Sequence, residues 1–159
     1  MLVIRKAEPR DVPQILQLIR ELAEYEKAPG QAVATEADLL VDGFGPLPRY
    51  VCLMAEWGGA TAGFALYFHN YSTWQGRWGL YLEDLFVRPQ HRGHGVGKAL
   101  LVELARIAVR EGCGRFQWQV LDWNTKAVEF YEKLGARPLN EWMTMRIDGD
   151  ALERLARNG

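Results

Sequence analysis

A segment in the middle of the chain contains the residue types and spacing that most clearly indicate chemistry. Glycines occupy every second position from Gly93 to Gly97, between an apolar run that ends at Val87 and a stretch with helical periodicity. A strand that enters a glycine turn and then a helix gathers free backbone N–H groups and the positive end of a helix dipole around one small volume. Arg92 and Lys98 add positive charge at its edges. The segment therefore predicts a site for a phosphate or pyrophosphate.

Two well-known phosphate turns do not fit this segment. A P-loop needs a glycine five residues before its Gly-Lys pair and a hydroxyl residue after it, but Arg92 and Ala99 occupy those positions. A dinucleotide-binding turn has the spacing G-x-G-x-x-G, which this segment also lacks. We therefore expect neither a nucleotide-hydrolysing P-loop nor a Rossmann site.

Three further groups of polar residues are candidates for catalysis or binding. Glu83 interrupts an apolar strand pattern just before the glycine turn, where alternation favours an apolar residue. Three carboxylates lie between Glu21 and Glu26 at the end of a helical pattern, where the helix dipole disfavours them unless solvent or a cation is near. Asn124 and Tyr131 are seven residues apart, so a helix places them on one face.

The rest of the pattern predicts the elements that position these residues. Before the glycine turn, three runs of alternating or apolar residues joined by short turns predict antiparallel strands. After it, strand and helix patterns alternate, which predicts a parallel pair. The predicted strands cover 2–7, 50–57, 61–71, 78–87, 116–121 and 142–147. The predicted helices cover 12–27, a short stretch whose Thr35-x-x-Asp38 pattern resembles a capping box, 97–111, 124–134 with Asn124 as its N-cap, and a terminal segment after Asp148 or Asp150. The expected fold is α/β or α+β in one domain, 1–159, with a mixed, mostly antiparallel sheet flanked by helices.

Charge and composition exclude several classes of protein. The chain has 159 residues and a formal net charge of -1, which argues against a general nucleic-acid binder or a polybasic membrane-surface protein. No stretch approaches the roughly 20 apolar residues that span a bilayer. The charge is divided, however: residues 1–84 carry 7 basic and 11 acidic side chains (net -4), and residues 85–159 carry 12 and 9 (net +3). Small ligands of opposite sign remain possible partners.

The cysteines and histidines do not form a recognisable ligand motif. Cys52 and Cys113 are far apart, and His69, His91 and His94 have no partner four residues away with which a helix could bind zinc. The N-terminal segment carries charges where a signal peptide needs an apolar core. We therefore expect no metal and a reduced, cytoplasmic protein.

Several of these motifs together resemble a known family. The pattern Gln90-x-x-Gly93-x-Gly95 resembles the acyl-coenzyme A pyrophosphate loop of the GNAT superfamily of N-acetyltransferases, and residues 124–136 resemble its helix-plus-tyrosine segment. Residues 21–26, 35–45, 81–87 and 123–124 further resemble the diamine (spermidine/spermine) acetyltransferases and their thialysine-acetylating relatives. The similarity covers nearly the whole chain. The hairpin turn at residues 58–59 and the segment between Gly135 and Trp142 are shorter than in the animal enzymes.

The resemblance implies an enzyme that moves the acetyl group of acetyl-coenzyme A to a primary amine in a ternary complex. It also implies a GNAT-type fold, in which the two parallel strands splay apart at the cofactor site. Tyr131 is then the general acid, and we assign Glu83 as the general base. Asp84, expected on the opposite face, is given a structural role. The implied cofactor-binding residues are Leu85, Phe86, Val87, Arg92, Gly93, His94, Gly95, Val96, Gly97, Lys98 and Asn124. The implied amine-binding residues are Tyr25 and Glu26, with Gln117, Gln119 and Glu141 as weaker candidates.

Other functions remain open on these residues. The acceptor could be a protein lysine, an N-terminus or an aminoglycoside, because the short loops border the amine side in the family. A coenzyme A-binding sensor without catalysis is a further alternative, although intact Glu83 and Tyr131 argue against it. The resemblance also implies a homodimer, with the last predicted strand as a contributor.

Overall fold

Five strands, five α-helices and three short 3-10 helices are present in the described part of the chain, residues 1–158 of a computed structural model. The chain divides into two units, Met1–Leu121 and the segment from Asp122 onward. The first unit contains β1 (Leu2–Lys6), α1 (Val12–Tyr25), α2 (Glu36–Phe44), β2 (Val51–Trp57), β3 (Ala60–Ser72), β4 (Arg77–Val87), α3 (Val96–Arg110) and β5 (Arg115–Trp118). The second contains α4 (Thr125–Lys133) and α5 (Gly149–Arg157).

The five strands form one mixed sheet in the order β1-β2-β3-β4-β5. The first four are antiparallel neighbours, and β5 runs parallel to β4. Helix α3 provides the crossover connection that a parallel pair requires. The predicted fold class is therefore confirmed.

Apolar side chains pack on both faces of this sheet. On one face, α1 and α2 close a cluster that includes Ile15, Leu18, Phe64 and Phe86. On the other face, α3 contacts β3 and β4 through the apolar stripe that its spacing predicts. The side chains of this stripe that are buried are Val96, Leu100, Leu101, Leu104, Ile107 and Ala108. Burial on two faces makes the sheet a rigid platform for the residues at its edges.

The helix ends follow local capping rules. The predicted capping box of α2 is confirmed, because the Thr35 hydroxyl accepts from the Asp38 N–H and the Asp38 carboxylate accepts from the Thr35 N–H. Helix α1 ends at Tyr25, two residues earlier than predicted, since Lys27 adopts a left-handed conformation with φ 62°. Glu26 is thereby the residue that follows the last helical turn.

Two predicted strands differ from the structure. The sixth strand, over 142–147, is wrong: no strand of residues 1–158 pairs with this segment, and a strand needs a neighbour for its backbone groups. β5 ends at Trp118, three residues earlier than predicted. Its pairing with β4 stops there, so Gln119 and the residues after it lie outside the sheet.

Candidate active site

A β-bulge in β4 gives Glu83 its position. Leu66 of β3 lies opposite Asp84, whereas the next residue, Tyr67, lies opposite Leu82. Glu83 is therefore an extra residue with no partner in β3, and its side chain is exposed. Bulges bend a strand and redirect a side chain. In β4 the bulged residue is Glu83, which the sequence analysis assigns as the general base.

The same bulge marks the point where the parallel strands part. β4 and β5 pair from Gly79 and Arg115 to Leu82 and Trp118, and β4 then continues to Val87 without β5 beside it. The predicted separation of the parallel pair is therefore present. Residues 83–87 present an edge of the sheet that β5 leaves uncovered, and such an edge can pair with an extended ligand.

The glycine turn follows directly after this edge. Gly93 and Gly95 have φ values of 82° and 78°, which favour glycine, and an added Cβ at either would meet no atom within 4 Å. Helix α3 begins at Val96 with Gly95 as its N-cap. The N–H groups of its first turn have no partners inside the helix, so they and the helix dipole face the open turn. The arrangement can bind an anion.

Two side chains of the turn contact aromatic rings of the first unit. The Arg92 guanidinium lies 5.0 Å from the ring centroid of Tyr25 and 5.6 Å from that of Phe86, and its Nε donates to the Val87 carbonyl at 2.9 Å. The His94 ring lies 4.8 Å from the Trp57 ring. Arg92 thus links the predicted cofactor turn to Tyr25, which the sequence assigns to the amine side.

Three carboxylates share one electrostatic environment beside the bulge. Burial raises the pKa of Glu26, and the nearby Glu83 carboxylate raises it further. Burial also raises the pKa of Asp84 to about 7, with smaller contributions from Glu83 and Glu26. Like charges held this close disfavour full ionisation, so the cluster attracts cations or protons. Glu26, Glu83 and Asp84 therefore interact electrostatically.

Sequence reasoning did not predict the raised pKa of Asp84. Strict alternation along β4 gave it a structural role, yet its raised pKa is typical of a functional carboxyl. The bulge that places Glu83 and Asp84 side by side depends on the register with β3, which β4's own sequence does not encode. A pair of adjacent acids in an otherwise apolar strand was the only available signal.

The remaining predicted residues divide between the two units. Gln117 lies in β5, and Gln119 follows that strand. In the second unit, the Asn124 side chain caps α4 by accepting from the Ala127 N–H at 3.3 Å, as predicted, and Tyr131 lies in the same helix. Glu141 is exposed and lies outside any helix or strand.

A sheet whose parallel pair separates beside an open glycine turn is the arrangement that the resemblance to the GNAT superfamily implies. The chain belongs to the acetyltransferase (GNAT) family, whose model matches residues 14–136. It is therefore an acetyltransferase, and the members of this family use acetyl-coenzyme A as co-substrate. Within residues 1–158, no helix combines the length and apolar character needed to cross a membrane.

Curated relatives and solved structures agree with this assignment. The chain is 44% identical to thialysine N-epsilon-acetyltransferase of Sus scrofa, over 97% of this chain and 96% of that protein. It is 32% identical to L-ornithine N5-acetyltransferase of Arabidopsis thaliana, over 96% of this chain and 86% of that protein. An integron cassette protein from the mobile metagenome of V. cholerae superposes with a TM-score of 0.83 and 28% identity, covering 98% of each chain.

Proposed function

We propose that this enzyme acetylates a primary amine of a small thialysine-like or diamine-like substrate by direct attack in a ternary complex. The observation that carries the proposal is the cluster of Glu26, Glu83 and Asp84 beside the open edge of β4. A substrate with two cationic groups can present one amine to the acetyl group and leave the other within reach of a carboxylate. The similarity to thialysine and ornithine acetyltransferases supports the same substrate class.

The cofactor binds along β4 and the glycine turn in this proposal. Leu85, Phe86 and Val87 form the uncovered edge along which an extended pantetheine arm can pair. The pyrophosphate is held by backbone N–H groups between Gly93 and Lys98, a stretch that also includes His94, Val96 and Gly97, with Arg92 and Lys98 supplying positive charge. Asn124 provides a further contact to the arm.

Glu83 removes the proton that keeps the amine unreactive. An alkylammonium with a pKa near 10.4 is neutral in only about one molecule in 2,500 at pH 7, so deprotonation costs roughly 4–5 kcal/mol. The Glu83 carboxylate accepts this proton directly or through one water. Its exposed position on the bulge supports access to an incoming amine. Asp84 and Glu26, with Tyr25, hold the distal cation, and Gln117, Gln119 and Glu141 are further candidates for lining the amine site.

The transfer step forms one C–N bond and breaks one C–S bond. The neutral amine nitrogen attacks the thioester carbonyl, a C–N bond forms, and a backbone N–H at Phe86 or Val87 donates to the developing oxyanion. The C–S bond breaks as the carbonyl reforms, and the coenzyme A thiolate takes a proton from the Tyr131 hydroxyl. Glu83 first releases the ammonium proton to solvent and then accepts the extra proton on the cationic nitrogen of the tetrahedral intermediate, so that the product amide keeps one N–H. Solvent takes the second proton from Glu83 and reprotonates Tyr131.

The proposal is tested by a panel of amines. Release of free coenzyme A thiol is measured with thialysine, spermidine, putrescine, ornithine, lysine and a lysine-containing peptide. We expect kcat/KM to be highest for a small substrate with two cationic groups. Activity confined to the peptide would support a protein-lysine acceptor instead, and acetyl-coenzyme A binding without turnover on any amine would support a sensor.

The assembly, location and domain organisation are part of the same proposal. We infer that both units form a single N-acetyltransferase domain over 1–159, that the enzyme is cytoplasmic and that it forms a homodimer. Large apolar side chains of the second unit support a dimer, since Trp142, Met143 and Met145 are 68%, 82% and 84% exposed. A monomer in sedimentation at micromolar concentration would contradict this inference.

A further inference from the structure

Three side chains from two distant parts of the sequence meet at the end of α3 opposite the glycine turn. The Nε2 of His69 in β3 lies 2.5 Å from an Oε of Glu111, and Cys113 completes the group. One nitrogen, one carboxylate oxygen and one sulfur atom all lie within 4.8 Å of one another. None of these residues contributes to the proposed acetyl transfer.

The backbone around Glu111 and Cys113 is held firmly in place. Gly112 has a φ of 74°, and the Cys113 N–H donates to the Ala108 carbonyl at 2.8 Å while the Gly112 N–H donates to the Val109 carbonyl. These two bonds form a Schellman motif, which places Glu111 and Cys113 on either side of a left-handed residue. The next N–H, that of Gly114, donates to the Trp78 carbonyl of β4 at 2.9 Å.

The histidine is positioned independently, by the sheet. His69 lies opposite Leu80 in the antiparallel pair of β3 and β4. Its ring contacts the rings of Tyr67 and Trp78 edge-on, each at a centroid distance of 6.0 Å. Two rigid elements, a strand and a capped helix end, therefore bring the three donors together. The partial negative charge at the C-terminus of α3 adds a field that favours a cation.

We propose that His69, Glu111 and Cys113 form a binding site for Zn²⁺, with water as the fourth ligand. Imidazole nitrogen, thiolate sulfur and carboxylate oxygen are the ligands that zinc uses in proteins. Tetrahedral bonds of about 2.0–2.3 Å place ligand atoms roughly 3.3–3.8 Å apart, so modest side-chain rotations suffice. The Zn–S bond replaces the S–H bond of Cys113, and the released proton passes to solvent.

The site is separate from the acetyl-transfer machinery and acts on stability. Helix α3 has 15 residues and is about 22 Å long, with the glycine turn at its start and this cluster at its end. Bound zinc joins the end of α3 to β3 and leaves the proposed cofactor turn untouched. It stabilises the folded chain because the unfolded chain does not hold the three ligands together.

The proposal is tested by zinc titration of the full-length chain after removal of metal with a chelator. We expect one zinc ion per chain, a melting temperature raised by about 5–10 °C when free zinc is a hundredfold above its dissociation constant, and release of one proton. Cys113→Ser, His69→Gln and Glu111→Gln should each weaken binding on the order of tenfold or more. Glu103→Gln, a matched carboxylate on the same helix, should leave zinc affinity unchanged.

A spectroscopic measurement on the unaltered chain avoids dependence on variant folding. Co²⁺ bound in place of zinc should give the near-ultraviolet charge-transfer band of a thiolate ligand. Absence of that band, no zinc uptake at tens of micromolar metal, or equal zinc affinity in Cys113→Ser would each overturn the site. None of these readouts uses acetyl transfer, so their outcome is distinguishable from failure of the proposed enzymatic function.

Discussion

The acidic cluster, with Glu83 and Asp84 in β4 and Glu26 after α1, and the glycine turn that follows β4 prepare for ligands by different means. At the bulge, the side chains of Glu26, Glu83 and Asp84 provide carboxyl groups, and the pKa values of Glu26 and Asp84 are raised by burial and by neighbouring carboxylates. At the turn, Gly93 and Gly95 provide a backbone conformation and exposed N–H groups. Recognition of the amine should therefore depend on pH, whereas recognition of the cofactor should depend on backbone geometry.

The largest expected effect comes from the acidic side. Glu83→Gln should reduce turnover on the order of a hundredfold at pH 7, because the variant has no carboxylate to accept the amine proton. Activity should partly recover at alkaline pH, where the amine deprotonates in water. Steady-state kinetics from pH 6.5 to 9.5 would measure this. Glu36→Gln, an exposed carboxylate in the first turn of α2, serves as the control. A loss that does not vary with pH would indicate a structural role for Glu83.

The second effect comes from α4, outside both regions. It tests whether Tyr131 contributes to the chemical step without contributing to the affinity for acetyl-coenzyme A. Tyr131→Phe should reduce turnover by about tenfold or more, since the leaving thiolate has no hydroxyl to protonate it. The dissociation constant of acetyl-coenzyme A, measured by calorimetry, should stay nearly unchanged. Wild-type turnover in this variant would remove Tyr131 from the mechanism.

The third effect concerns the turn alone. Gly95→Ala should raise the KM for acetyl-coenzyme A by roughly tenfold, because a left-handed conformation costs a residue with a Cβ about 1–2 kcal/mol. The KM for the amine should change little. Gly30→Ala is the matched control, since Gly30 also has open space around it but no positive φ. If Gly95→Ala altered the amine KM as strongly as the cofactor KM, the two regions would not be independent.

The smallest effect is on stability, and it is present at pH 8 but absent near pH 4. In the folded chain the pKa of Asp84 is about 7, above its usual value of 3.8, so protonated Asp84 favours folding. That contribution is complete below about pH 4 and is lost as the pH rises to 7. Asp84→Asn should therefore melt several degrees higher than the wild type at pH 8, with no difference near pH 4.

The same variant should bind the amine less well, which separates the two roles of Asp84. Above pH 7 the wild-type carboxylate is ionised and can pair with the distal cation, whereas asparagine cannot. The amine KM should therefore rise while the melting temperature rises too. A variant that is no more stable at pH 8 than the wild type would contradict the raised pKa.

The elements whose signals are local were predictable from the sequence. The capping box of α2, the apolar stripe of α3 and the glycine turn depend on residues within a few positions of one another, and all three are present. Asn124 as the cap of α4 belongs to the same group. The predicted strand over 142–147 failed because an alternating pattern cannot indicate whether a neighbouring strand exists.

The candidate site was only partly predictable, for the same reason. Glu83 and Glu26 were identified from residue type and position, but their shared electrostatics with Asp84 depends on a bulge set by pairing with β3. Likewise, the three histidines showed no metal-binding spacing. His69 meets Glu111 and Cys113 across 42 and 44 residues of chain, a proximity that only strand register and a helix C-terminus create.

By itself, the sequence determined the glycine turn, the helix caps and the division of charge that suits one anionic and one cationic ligand, because these depend on backbone preference and composition. The tertiary structure alone decided that β4 and β5 part at Leu82, that Glu83 bulges from the sheet and that Asp84 has a pKa near neutrality. Strand register and burial are non-local, and they arise only when distant segments pack together.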